Sequence, residues 1–199
     1  MHKRILCIST AREALSSVLD AWGDCIYLDD DPSIDEIDRA VDDFRPDLVV
    51  VFGCRFAIPQ RILSKTEFFN VHLALLPRCR GPVPHIWSLI EGGQDGVTLH
   101  KMNAEIDEGP IVAQRVVSIQ HSSHTLNSAF ELLLSNAMTL LATNMNQLKS
   151  GKYLLRDQIG KASQHTLKQQ STIQQYVEDN LDLPLVKFVP ELRRRVDKF

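Results

Sequence analysis

The run Asp47-Leu48-Val49-Val50-Val51-Phe52-Gly53 constrains this chain more than any other stretch. Everything between the aspartate and the glycine is apolar, and three consecutive residues are β-branched. That is the composition of a strand covered on both faces rather than one with a wet side. Strands of this kind belong to parallel sheets, whose crossover connections lay helices on both faces. The sequence before it supplies the other parts. Residues 3–8 read as a short buried strand. Ala11 to Trp22 carries apolar residues at helical spacing (Leu15, Val18, Leu19, Trp22) and is closed by Gly23. Residues 25–28 form a second short strand. Asp29-Asp30-Asp31-Pro32-Ser33 is a turn and cap leading into a helix over residues 34–44. Strand, helix, strand, helix, strand predicts right-handed βαβ units. The fold class is therefore α/β, with a Rossmann-like, mostly parallel sheet flanked by helices.

Further along, a short helix is expected at Pro59–Ser64, a strand at Phe68–His72, and a loop from Gly81 entering a helix through Trp87, Leu89 and Ile90. Val97–Met102 and Ile111–Ile119 alternate as strands and can pair as antiparallel neighbours. Thr125 to about Leu148 is a long amphipathic helix. With 199 residues, of which 44% are hydrophobic, the chain suits one core, expected over residues 1–150, plus a C-terminal extension over 151–199. That extension reads as solvated with one helix, since residues 156–175 are rich in Gln, Lys and Ser. Its apolar stretch Leu183-Pro184-Leu185-Val186 is a candidate interface between two copies.

Composition narrows the partners. The formal net charge of -3 gives no global basic field for nucleic acid or an anionic membrane. No apolar run is long enough to span a bilayer. The basic start, Lys3-Arg4, precedes an apolar run too short for a signal peptide. Cys7, Cys25, Cys54 and Cys79 show no metal spacing and read as reduced thiols, which points to the cytoplasm.

Two segments carry chemistry. In Phe69-Asn70-Val71-His72-Leu73-Ala74-Leu75-Leu76-Pro77-Arg78-Cys79-Arg80-Gly81, strand alternation puts Asn70 and His72 on one face. They lie at the carboxyl end of a parallel strand, where open α/β sheets bind ligands. In Gly96-Val97-Thr98-Leu99-His100-Lys101-Met102-Asn103-Ala104-Glu105-Ile106-Asp107-Glu108-Gly109-Pro110, Asp107 lies in a turn that can bring its carboxylate to a site. Such a trio suits acyl transfer to an amine. The carbonyl oxygen turns negative and needs a donor, which the Asn70 amide supplies. The nitrogen turns positive and must lose a proton, which His72 can accept. A nearby Asp107 would raise the His72 pKa and fix its tautomer. Taken alone, an Asn-x-His pair is more often structural than catalytic. His72, His100 and Asp107 could instead hold zinc, but no tight ligand pair supports a metal. His100 otherwise reads as a strand residue facing solvent or the sheet edge.

These segments resemble the formyltransferase family that uses 10-formyltetrahydrofolate. Its pattern is Asn-x-His-x-Ser-Leu-Leu-Pro, an Arg-Gly turn, Gly-Val-Thr and an Asp-x-Gly loop; the match runs from about residue 45 to 120. The resemblance implies a Rossmann-like sheet, catalytic Asn70, His72 and Asp107, and 10-formyltetrahydrofolate as co-substrate without a metal. It further implies that Arg55, Ala57 and the Leu75-Leu76-Pro77 turn line the folate pocket, and that Asn103-Ala104-Glu105 closes over the pterin. The family serine is Ala74 here, which predicts altered folate contacts.

Candidate substrate contacts are Arg78 and Arg80 beside the site, Arg12 after the first strand, and Trp87, which could stack on a ring or pack on the sheet. No glycine-rich phosphate loop follows the first strand, unlike glycinamide ribonucleotide formyltransferases. No basic second domain follows, unlike methionyl-tRNA formyltransferases, and no regulatory domain precedes, unlike formyltetrahydrofolate hydrolases. What remains is similar to the sugar N-formyltransferases of surface polysaccharide synthesis, such as that of lipopolysaccharide. The substrate would be a dTDP- or UDP-linked amino sugar. A transferase for another small amine (a ribonucleotide or hydroxylated amino acid) and a non-catalytic folate-binding relative stay open.

Overall fold

Residues 48–52 lie at the centre of the molecule, as their composition demands. In the computed structural model, which describes residues 3–28, 31–54 and 56–196, β3 (Leu48–Phe52) is buried along its whole length. It is flanked by β1 (Lys3–Ser9) and β4 (Phe68–His72), with β2 (Gly23–Leu28) outside β1. These four strands are parallel. β5 (Asp95–Lys101) and β6 (Ile111–Val117) then add antiparallel, giving the order β2-β1-β3-β4-β5-β6. The expected α/β sheet is thus present, and its antiparallel part falls where alternation was legible. Asp29 and Asp30 of the expected turn cluster lie outside the described residues.

Strand alternation assigns the two faces. Odd-numbered residues of β1 and β4, with even-numbered ones of β3, pack under α1 (Arg12–Leu19) and α5 (Leu126–Ser150). The opposite set packs under α2 (Ile34–Phe44) and α3 (Gln60–Leu63). α2 begins on a capping box, with Ser33 accepting from the Glu36 N–H and Glu36 accepting in return; such a cap is worth about 1 kcal/mol.

A second core departs from expectation. The extension holds two helices, α6 (Leu167–Asp179) and α7 (Leu185–Val196). Ile173, Leu185, Phe188, Val189 and Leu192 are buried with Ile86, Trp87 and Leu89 of α4 (Pro84–Glu91) and the start of α5. The extension is therefore packed, not solvated, because its apolar residues recur at helical spacing beneath a polar composition. This also corrects the reading of Leu183–Val186 as one apolar surface: Leu185 is fully buried inside the same chain, Leu183 is half-buried, and Pro184 and Val186 are exposed.

Candidate active site

β4 presents Asn70 and His72 on the face shared by Phe68, beyond the cover of α3. β5 runs antiparallel beside it, and the register sets Asn70 opposite His100 and His72 opposite Thr98. Residues directly opposite share a face, so the strand pair brings an amide, two imidazoles and a hydroxyl together. Thr98 Oγ1 donates to the Ala74 carbonyl at 2.6 Å and accepts from the Leu76 N–H at 3.2 Å. Gln114 Nε2 donates to the Leu76 carbonyl at 2.8 Å. These bonds shape the turn that follows β4.

Asp107 arrives from the β5–β6 loop and closes the group. Its Oδ1 accepts from Asn70 Nδ2 at 3.1 Å, and its Oδ2 accepts from the Gly81 N–H at 2.8 Å. Oδ2 also lies 3.6 Å from His72 Nδ1, and Oδ1 lies 3.5 Å from His100 Nε2. Asn70 and His72, two residues apart on β4, thus converge with Asp107, which lies far along the chain. His100 joins them: it is 1% exposed and 3.1 Å from Asn70 Nδ2. Its expected place at solvent or the sheet edge is corrected, because β6 covers the edge of β5 and the register points the ring inward. The β4–β5 register that puts His100 opposite Asn70 is not declared by either strand alone.

The network fixes protons. His72 Nε2 is 3.0 Å from the Cys79 carbonyl; a carbonyl only accepts, so Nε2 carries the hydrogen and Nδ1 is the basic atom. Burial lowers the His72 pKa; Asp107 opposes this and His100 adds to it. The net direction is downward, so the expected rise is corrected: desolvation outweighs the carboxylate. For Asp107, burial alone would raise the pKa. The neighbouring His72 and His100 and the Gly81 N–H overcome it and hold the acid well below the ordinary carboxylate range. At neutral pH the site therefore pairs a neutral imidazole with an ionised carboxylate. Asn70 Nδ2 donates to Asp107 Oδ1 and lies 3.1 Å from His100 Nε2, so an incoming carbonyl oxygen must compete for its N–H bonds.

The other expected contacts distribute unevenly. Arg55 lies outside the described residues. Leu75 is half-buried, and Leu76 and Pro77 are buried in the turn after β4; Ala57 is exposed in the loop before α3. Asn103, Ala104 and Glu105 form an exposed turn next to Asp107, where the Glu105 N–H donates to Asn103 Oδ1. Ala74 is 1% exposed and packs in the second core, so its side chain does not face a ligand. Arg78 is bound to Glu91 and to the Gly92 carbonyl. Arg80 is bound to Glu108 and Gln158. Arg12 lies over the Tyr27 ring and lines a cleft of about 430 Å³ with Ser9, Thr10 and Leu134. Trp87 is 1% exposed, with one ring face stacked on His165 at 4.0 Å. It fills the second core, so of its two readings the packed one fits and stacking on a substrate ring is corrected. Among the described residues, no group of three or more His, Cys, Asp or Glu could hold a metal ion, and no helix is long and apolar enough to cross a membrane.

Residues 28–143 match the family model described as formyl transferase. The dTDP-4-amino-4,6-dideoxyglucose formyltransferase of Mycobacterium tuberculosis is 32% identical over 109 residues, covering 55% of this chain and 46% of that one. The methionyl-tRNA formyltransferase of Wigglesworthia glossinidia brevipalpis is 33% identical over 133 residues, covering 65% and 41%. The match thus spans less than half the length of these relatives. The formyltransferase PseJ of Anoxybacillus kamchatkensis, solved with UDP-4,6-dideoxy-4-formamido-L-AltNAc and tetrahydrofolate, superposes with a TM-score of 0.81 at 24% identity. That likeness, over 95% of this chain and 99% of the other, concerns the fold.

Proposed function

The chain belongs to the formyl transferase family, and from that premise we propose that it transfers the formyl group of 10-formyltetrahydrofolate to the amine of a nucleotide-linked amino sugar. The observation that carries the reading is the convergence of Asn70, the basic Nδ1 of His72 and the ionised Asp107. Acyl transfer to an amine needs a donor for a nascent oxyanion and a base for a nascent ammonium. It needs no enzyme nucleophile, and the buried Cys79 thiol is pushed up to about 12 by burial and Glu91, which disfavours a thiolate.

When bound, 10-formyltetrahydrofolate supplies the activated formyl carbon. The chain's residues suit it: the half-buried Leu75 in the turn after β4 and the exposed turn 103–105 flank the trio. These offer an apolar contact and backbone polar groups to a flat ring. Asn70 turns an N–H to the carbonyl oxygen as charge develops there. His72 Nδ1 takes the proton from the attacking amine, and Asp107 stabilises the imidazolium that results. As the new C–N bond replaces the old one, His72 returns that proton to the departing nitrogen. Desolvation around His72 strengthens each of these charge interactions.

A sugar nucleotide is favoured over tRNA by the net charge of -3. It is also favoured by the likeness to PseJ, which covers 95% of this chain and whose ligand is a UDP-linked formamido sugar. Arg12 and its cleft are suited to a phosphate or nucleotide group. On the same reading the protein works in the cytoplasm, in surface-polysaccharide synthesis. Thermal-shift titration tests the substrate class: dTDP- or UDP-linked amino sugars should raise the melting temperature in the presence of tetrahydrofolate. Stabilisation by tetrahydrofolate, with none by any sugar nucleotide, would favour the folate-binding relative instead.

A further inference from the structure

Two non-glycine residues of the site adopt left-handed backbone: Cys79 at φ 57° and Asp107 at φ 55°. Both are central to the chemistry. Cys79 offers the carbonyl that fixes the His72 tautomer, and Asp107 carries the carboxylate. A conformation of this kind persists only where surrounding structure over-determines it. Here the surrounding structure is residues 156–165, in the segment between α5 and α6.

Gln158 clips the Asp107 turn. Its Nε2 donates to the carbonyls of Asp107 at 2.7 Å and Gly109 at 2.8 Å. Its Oε1 accepts from Arg80 Nη2 at 2.8 Å and Nε at 3.2 Å. Only an amide fits both ends, since a carboxylate has no donor for the carbonyls and a cation no acceptor for Arg80. Ser163 clips the other residue: its Oγ accepts from the Cys79 N–H at 2.8 Å. The backbone continues the contact, with the Arg80 N–H donating to the Ser163 carbonyl and the His165 N–H to the Arg80 carbonyl. The next residue, Gly81, donates its N–H to Asp107. One ten-residue segment thus grips both supports of His72.

We infer that Gln158 and Ser163 are positioning residues that hold Asp107 and the Cys79 carbonyl against His72; this rests on the transfer reading above for its consequence in rate. Neither touches the reacting atoms, so their loss should lower kcat while leaving KM for amine and folate little changed.

The test uses Gln158→Met, similar in size and uncharged, together with Ser163→Ala and Ser163→Thr. The described groups facing His72 are Asp107 from the β5–β6 loop, His100 from β5 and His85 from α4; Asp107 is the one anion among them. If Gln158 positions Asp107, Gln158→Met should lower kcat by about ten- to a hundredfold. The His72 titration, followed by NMR, should then move to lower pH. Ser163→Ala should lower kcat, and Ser163→Thr, which keeps the hydroxyl, should restore it. A Gln158→Met protein that melts earlier but keeps the wild-type kcat and His72 titration would overturn the inference, leaving only a structural clip. Failure of Ser163→Thr to recover would overturn the role of the hydroxyl. The titration needs no substrate. A shifted His72 in a protein that formylates no amine would therefore refute the assigned reaction and leave the positioning intact.

Discussion

Asp107→Asn removes the charge of the trio with little change of shape, and the geometry allows its effect to be worked out. The carboxylate lies 3.6 Å from His72 Nδ1. At an effective dielectric of about 20, a carboxylate and an imidazolium at that distance attract by about 4–5 kcal/mol. That attraction exists only once His72 has taken the proton, so it acts on the transition state and not on the resting enzyme. Its loss predicts a fall in kcat of roughly a thousandfold. The substituted amide also meets two donors, the Gly81 N–H and Asn70 Nδ2. One of its ends must therefore face a donor with a donor. Steady-state transfer rates at saturating amine and folate give the answer, with circular dichroism to confirm the fold. A variant within a few-fold of wild-type kcat, or one that changes only KM, would refute the role assigned to the carboxylate.

Burial sets the His72 pKa below its ordinary value near 6.5, and the base form is the active one. The midpoint of the acid limb of the kcat/KM profile should therefore lie below pH 6.5. In Asp107→Asn the remaining activity should fall at still lower pH, because the group that favoured imidazolium is gone. Gly81 has φ +95°, and a Cβ there would sit 2.2 Å from the His165 carbonyl oxygen. Gly81→Ala should displace the N–H that holds Asp107 and abolish most activity in a protein that still folds, as read by kcat beside circular dichroism. Phe188 is fully buried between α4 and α6, stacked on Tyr176. Phe188→Ala should cost about 3–5 kcal/mol and lower Tm by roughly 6–20 °C; an unchanged Tm would show that α7 is not part of the cooperative core.

The sequence was most legible where one local pattern decides one structure. The buried run 48–52, the helix at residues 34–44 and the strand at 68–72 each follow from an unbroken apolar stretch, a cap or strict alternation. Asn70 and His72 share a face for the same local reason. What was less legible depends on pairing across distance. His100 enters the site through its register with Asn70, which a single strand does not declare. Trp87 and Leu185 are drawn into a second core that exists only because α7 folds back on α4. The polar composition of residues 156–175 suggested solvent, yet Gln158 and Ser163 use that polarity to grip backbone near the trio. The direction of the His72 shift was likewise out of reach, because desolvation depends on the whole surround rather than on the nearest charge.

Transfer itself is the most direct measurement. The purified protein is incubated with 10-formyltetrahydrofolate labelled on the formyl carbon and with dTDP- or UDP-linked amino sugars, and the sugar nucleotides are analysed by mass spectrometry. A labelled formamide is expected on one of them with the wild type, and none above background with His72→Ala. Label appearing equally with both proteins, or on no amine while wild type binds the folate, would contradict the proposed transfer.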